Sequence, residues 1–142
     1  MILQEAALAQ LVGELSAKSS PQFVPDTVAE YMKRQPVAGQ YVASHQRELG
    51  VEGVVLALLH AAILTQAVER AVGRRLRRMG SPSLDSAARL VKDDDAFAKA
   101  QPAAHDYLVA NVADDDTLEN PAQKTLALFL VRVLVQAALD RV

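Results

Sequence analysis

The sequence predicts an all-α fold, a six-helix bundle built from two tandem three-helix repeats about an approximate twofold axis, with a proline kink in the second helix of each. Three observations lead there. Residues are 51% apolar but only 4% aromatic, so the core must be mostly Leu, Val and Ala, which suits closely packed helices better than a sandwich of strands. The stretch 51–79, VEGVVLALLHAAILTQAVERAVGRRLRRM, reads as one long helix between Gly50 and Gly80, apolar on every face over 54–64 except at His60. The third observation is that much of the chain occurs twice.

The recurrence has three blocks. Residues 56–72 align with 126–142 at an offset of 70, with seven of seventeen positions identical, Gln66/Gln136 among them. Tyr31-Met-Lys-Arg-Gln-Pro-Val-Ala-Gly-Gln-Tyr aligns with Phe97-Ala-Lys-Ala-Gln-Pro-Ala-Ala-His-Asp-Tyr at an offset of 66. There Gln35/Gln101, Pro36/Pro102 and Tyr41/Tyr107 are conspicuous, because proline and tyrosine are scarce in this chain. Residues 9–14 align more weakly with 88–93 at an offset of 79. The order is the same in both halves, which gives a single domain of two repeats, 1–80 and 81–142. The offsets place about 13 extra residues in the 19–26 loop of the first repeat and four before the last helix of the second.

Each helix has a local rationale. Leu8, Leu11, Val12 and Leu15 form the stripe of a first helix over 3–18, ended by Ser19-Ser20-Pro21. Thr27 and Glu30 have capping-box spacing, so a second helix is expected from Asp26 or Thr27 to about Leu49, bent at Pro36. The central helix over 51–79 follows. Ser81-Pro82 opens a fourth helix with its stripe at Leu84, Ala87, Leu90 and Val91. Asp93, Asp94 and Asp95 break it and cap a fifth, 96–112, bent at Pro102. Asn120-Pro121, with Gln123 at the third position, starts a last helix that runs to Val142.

Chemistry is harder to find. There is no cysteine, which removes disulfides, thiolate metal sites and a cysteine nucleophile. His45, His60 and His105 show no ligand spacing, so no metal site and no cofactor is expected. The aspartate runs 93–95 and 114–116 lack the alternating oxygens and the sixth-position glycine of a calcium loop, and read as solvated caps. No phosphate loop, Rossmann fingerprint or catalytic triad pattern is present, so an enzyme is the less favoured class. The N-terminus has no basic lead and carries Glu5 and Glu14, unlike a signal peptide. His60 and Arg132 interrupt the two best apolar runs, so no membrane insertion is expected and the location is read as cytoplasmic.

Two groups of residues remain as candidate sites. His60, Gln66, Tyr41 and Tyr107 are candidates to line a ligand site between the repeats, with Thr65 and Gln66 expected to bond across the twofold. Arg70, Arg74, Arg75, Arg77 and Arg78 are candidates to contact a partner or an anion, although arginines in a last helical turn also compensate the helix dipole. The resulting expectation is a small non-catalytic adaptor or regulatory module that binds another protein. Self-association through the apolar last helix, Leu126 to Leu139, to be tested at Leu128 and Leu134, is one form this could take. One alternative is a binder of a small apolar ligand or cofactor with His60 at its wall. The other is nucleic-acid binding through the arginine cluster, disfavoured by a net charge of −2 and the absence of interleaved aromatics.

Overall fold

Residues 1–142 are all described by a computed structural model, which contains eight α-helices, one π-helical turn and no strand. In chain order they are α1 (Glu5–Ala17), α2 (Phe23–Arg34), α3 (Pro36–Ala43), α4 (Gln46–Val72), α5 (Ser81–Leu90), α6 (Asp94–Ala100), α7 (Pro102–Leu108), the π turn Val109–Ala113, and α8 (Pro121–Leu139). Helices number eight rather than six because each proline ends one helix and starts another. Gln35 and Gln101 sit at the two breaks with nearly the same backbone, φ −127°, ψ 67° and φ −134°, ψ 68°. A residue before proline is pushed out of the helical region in this way. Little hydrogen bonding is lost at either break. Gln35 N donates to Tyr31 O and its own carbonyl accepts from Gly39 N, while Gln101 N donates to Phe97 O and its carbonyl accepts from His105 N.

Helices α4 and α8 pair at the centre, α2, α3 and α1 lie against α4, and α5 lies against α8. One continuous apolar core results, including Leu58, Leu64 and Val68 of α4 and Leu130, Leu134 and Val135 of α8. By length and composition α4 and α8 would each suffice to cross a bilayer, but most of their apolar surface is covered by the other helices of the chain. The apolar face expected to be uncovered on the last helix is covered from Leu130 onward, whereas Leu126, Leu128 and Phe129 before it are only half-buried. Leu134 is completely buried, and Leu128 is half-buried against the core. What remains exposed is scattered: Val37, Val51, Leu90 and Val109 are the large apolar residues open to solvent away from the termini.

Caps follow the sequence in some places and not in others. Asn120 Oδ1 accepts from Gln123 N at 2.9 Å, and the Gln123 amide returns to accept from Glu119 N at 2.8 Å. Asp93 Oδ1 accepts from the amides of Asp95 and Ala96, and Asp94 pairs with the buried Arg132 on α8. Asp115 Oδ1 accepts from Thr117 N at 2.8 Å. The aspartate runs thus serve as caps and turn formers. Helix α2 begins at Phe23, three residues ahead of the Asp26 expected at the earliest, because Pro25 falls in the first turn, where no amide donor is required.

The largest departure is at the end of the central helix. It stops at Val72, capped by Gly73 at φ 75°, a left-handed conformation that glycine alone adopts without strain. Gly50, also at φ 75°, breaks the same helix near its start. Of the five clustered arginines, only Arg70 is helical.

An arginine ribbon as candidate functional site

Residues 74–80, Arg-Arg-Leu-Arg-Arg-Met-Gly, form a non-helical ribbon between α4 and α5. Leu76 and Met79 point into the core and are buried, so Arg74, Arg75, Arg77 and Arg78 are left facing solvent. Side chains far away in sequence hold the backbone. The Glu69 carboxylate accepts from Leu76 N at 2.8 Å and also binds the Arg34 guanidinium. The Gln35 amide donates to Arg77 O at 3.1 Å and accepts from Met79 N at 2.9 Å. At the end of the chain, Arg141 Nη2 donates to Arg78 O at 2.9 Å while Arg74 Nη2 donates to Arg141 O at 3.2 Å. Four backbone groups of the ribbon are held in this way, at Leu76, Arg77, Arg78 and Met79.

A polar cleft of about 600 Å³ opens on its outer side, lined by Arg74, Arg75, Arg77, Arg141 and Asp140. No carboxylate lies within 4.0 Å of Arg74, Arg75, Arg77, Arg78 or Arg141. Asp140, the one acid of the cleft, instead accepts from Gln136 Nε2 at 2.9 Å. The other arginines of this region are neutralised: Arg70 pairs with Glu14 at 2.6 Å, and Arg34 with Glu69. The Arg70 guanidinium holds the Glu14 carboxyl below its ordinary range. A near-neutral chain therefore gathers uncompensated positive charge at one end, on a backbone that does not need reordering to present it. Guanidinium groups so placed bind carboxylates and phosphates through paired N–H donors.

Gln35 is the residue that sequence reasoning overlooked here, although its recurrence as Gln101 singled it out. Gln101 makes the corresponding pair of bonds, donating to Met1 O at 2.7 Å and accepting from Leu3 N at 3.0 Å. A buried amide that satisfies one donor and one acceptor is costly to remove. Gln35→Ala is expected to lower stability by about 2–4 kcal/mol, since it leaves Met79 N buried without a partner. Urea denaturation would measure the loss, and faster hydrogen exchange at Met79 would show the ribbon loosening.

The second group of candidates is not one site. His60 and Tyr107 do meet: the Tyr107 hydroxyl lies 2.6 Å from His60 Nδ1, with the rings edge to face. Burial pushes the imidazole down to about 4 and the phenol upward, so a neutral ring and a protonated tyrosine share this hydrogen bond, the imidazole tautomer setting which of them donates. Asp115 acts in the opposite direction on His60, but burial outweighs it. His60 lines neither of the clefts that Tyr41 and Gln66 line. Tyr41 lines a different groove with Pro36, Val37 and Leu84. Gln66 lines a third, between α2 and α4. No bond joins Gln66 to its counterpart, because Gln136 turns to Asp140 on its own helix. Comparison with protein-family models, curated proteins and solved structures finds no match for this chain.

Proposed function

We propose that this chain is a non-catalytic interaction module whose recognition surface is the arginine ribbon, and that its partner is another protein presenting an acidic segment. The observation that carries this reading is the set of arginines, 74, 75, 77 and 141, around one cleft whose single acid, Asp140, forms an ion pair with none of them. An acidic peptide is favoured over nucleic acid for three reasons. The ribbon is short, whereas a nucleic-acid strand asks for a long basic track. No tyrosine or phenylalanine lines the cleft to stack on bases. Elsewhere the chain is acidic enough to bring the total to −2.

A fluorescent oligoglutamate peptide titrated by anisotropy tests the reading, with a single-stranded RNA of equal charge as the competitor probe. Saturable binding of the peptide, reduced roughly tenfold or more in Arg74→Gln/Arg77→Gln, is the expected outcome. Tighter binding of the RNA at the same salt concentration would overturn it.

The same proposal includes an internal duplication as the origin of the scaffold. Supporting it, Gln35 and Gln101 occupy equivalent breaks and each grips a backbone segment leading into a first helix: Arg77 and Met79 before α5, Met1 and Leu3 before α1. Those contacts align the first helices at an offset of 76, not 79, with Leu3 over Met79, Leu8 over Leu84 and Leu11 over Ala87. The repeat boundary then falls near residue 76 rather than 80. The excess of the first copy becomes ten residues rather than about 13. It is spread over α1, the following loop and the start of α2 instead of being confined to the loop. Each glutamine holds the other copy's lead-in segment, which would interlock the two halves.

A further inference from the structure

A cleft of about 580 Å³ runs along the first turns of α8, where the junction of α5 and α6 lies against it. The α8 residues that line it recur at 121, 122, 125, 126, 129 and 132, the spacing of one helical face. That face grades from apolar to charged over about 16 Å at the usual helical rise. Leu126 and Phe129 are half-buried in its apolar part. At its far end lies Arg132, whose side chain is only 5% exposed. A guanidinium carries five N–H donors. The protein gives this one a single ion-pair partner, the largely exposed Asp94 carboxylate at Nη2. Nε is enclosed and unpaired, whereas Nη1, also without a hydrogen bond, is not sealed from solvent and opens on the cleft. Burial lowers the guanidinium below its ordinary range, and Asp94 offsets only part of that. Lys92 stands at the mouth with no carboxylate within 4.0 Å. The lining therefore sets two cations against one acid.

We propose that this cleft binds a small carboxylate with an apolar tail, an unbranched alkanoate, its head at Arg132 and Lys92 and its tail along Leu126 and Phe129. Chemistry selects that class. Carboxylate oxygens accept from guanidinium and ammonium donors and cancel the excess charge, while an alkyl tail covers the half-buried side chains. A cation would be repelled by Arg132 and Lys92, and an anion without a tail would leave the apolar length of the cleft unfilled. The chain holds its own contrast. Residues 51, 52, 55, 56 and 59, aligned with 121, 122, 125, 126 and 129 at the offset of 70, line a similar apolar cleft on α4. There Ala62 stands at the position of Arg132, and Glu52 is the one charged residue of the lining. A carboxylate is expected to choose the cleft on α8. The site is independent of the arginine ribbon, and the failure of either proposal leaves the other standing.

The probe is octanoate, titrated into the whole chain and followed by amide NMR shifts. Octanamide is the neutral control with the same tail, acetate the head without a tail, and Gly-Gly-Leu a peptide carboxylate. Saturable shifts centred on residues 92–94 and 121–132 are expected from octanoate, with octanamide weaker by about tenfold and acetate not saturating. Arg132→Met exchanges the buried ion pair for an apolar side chain, a change that protein cores often tolerate. It is expected to weaken octanoate about tenfold and to leave octanamide unchanged. Thr125→Glu sets a carboxylate at an exposed position of the lining, so it tests the site even if Arg132→Met does not fold. It is expected to weaken octanoate about fivefold, whereas Arg74→Gln/Arg77→Gln should not alter it. The proposal would be overturned by an absence of saturable octanoate shifts, or by shifts centred on 51–59 or 74–80. Equal affinity for octanamide, tighter binding of Gly-Gly-Leu, or unchanged octanoate affinity in Thr125→Glu and a folded Arg132→Met would overturn it as well.

Discussion

Leu134→Asp is expected to leave the chain unfolded. Leu134 is fully buried in α8 at the α4 pairing, the centre of the core. Substituting aspartate removes about 2–3 kcal/mol of apolar burial. It also places a carboxylate where no cation or amide donor waits, a further penalty of several kcal/mol. Domains of this size are stable by about 5–15 kcal/mol in total, so the two losses together consume most or all of the margin. Circular dichroism at 25 °C should show a chain without helical signal, or one that melts far below the parent. Leu134→Ala is the graded version and should cost about 2–5 kcal/mol in urea, with an unchanged slope. Leu128→Asp should be milder, because Leu128 is only partly covered. A folded, monomeric Leu134→Asp would show that α8 is not the core helix described here.

The second large effect is an acid-side loss of stability that originates at one residue. His60 is held neutral, its folded-state value pushed by burial down to about 4 from an ordinary 6.5. The unfolded chain therefore takes up a proton below pH 6.5 that the folded chain refuses until about pH 4. Stability from this group is complete above pH 6.5 and falls as the pH is lowered to about 4, by about 3 kcal/mol over that window. His60→Leu/Tyr107→Phe removes the titrating ring together with the hydroxyl that would otherwise lose its partner. The double variant should show a flatter stability profile between pH 7 and pH 4 in parallel urea melts. Glu14 and Asp115, both depressed by their partners, lose their contributions only below their ordinary values of 4.5 and 3.8, under most of that window. An identical acid slope in parent and double variant would assign the loss to other groups.

The recurrence makes Tyr41 and Tyr107 equivalent in sequence, and the structure separates them. Tyr107 reaches His60 because α7 lies where its hydroxyl can approach α4. Tyr41 has the aliphatic Leu130 at the aligned position of α8 and lines an open groove instead. A sequence alignment equates the two positions but cannot say what each side chain meets, since for Tyr107 that depends on a residue 47 positions away. The same holds for Gln66 and Gln136, identical residues of which only one finds an intramolecular bond.

Local signals determined the helical class, the breaks at Pro36 and Pro102, the Asn120 and Asp93 caps and the burial of α4 and α8. Each of these depends on a residue and its near neighbours: a missing amide, a side-chain oxygen over a free helix end, an unbroken apolar surface. Where the central helix stops was also written locally, at Gly73, but Gly80 with its following proline was the louder signal. The shape of the arginine segment was not written locally at all. Arg-Arg-Leu-Arg-Arg-Met is compatible with a helix by propensity. It becomes a ribbon because Leu76 and Met79 reach the core there, while Gln35, 42 and 44 residues from the groups it binds, ties down its backbone. Burial and hydrogen bonds over that separation are paid for by the assembled fold, and only the assembled fold decides them.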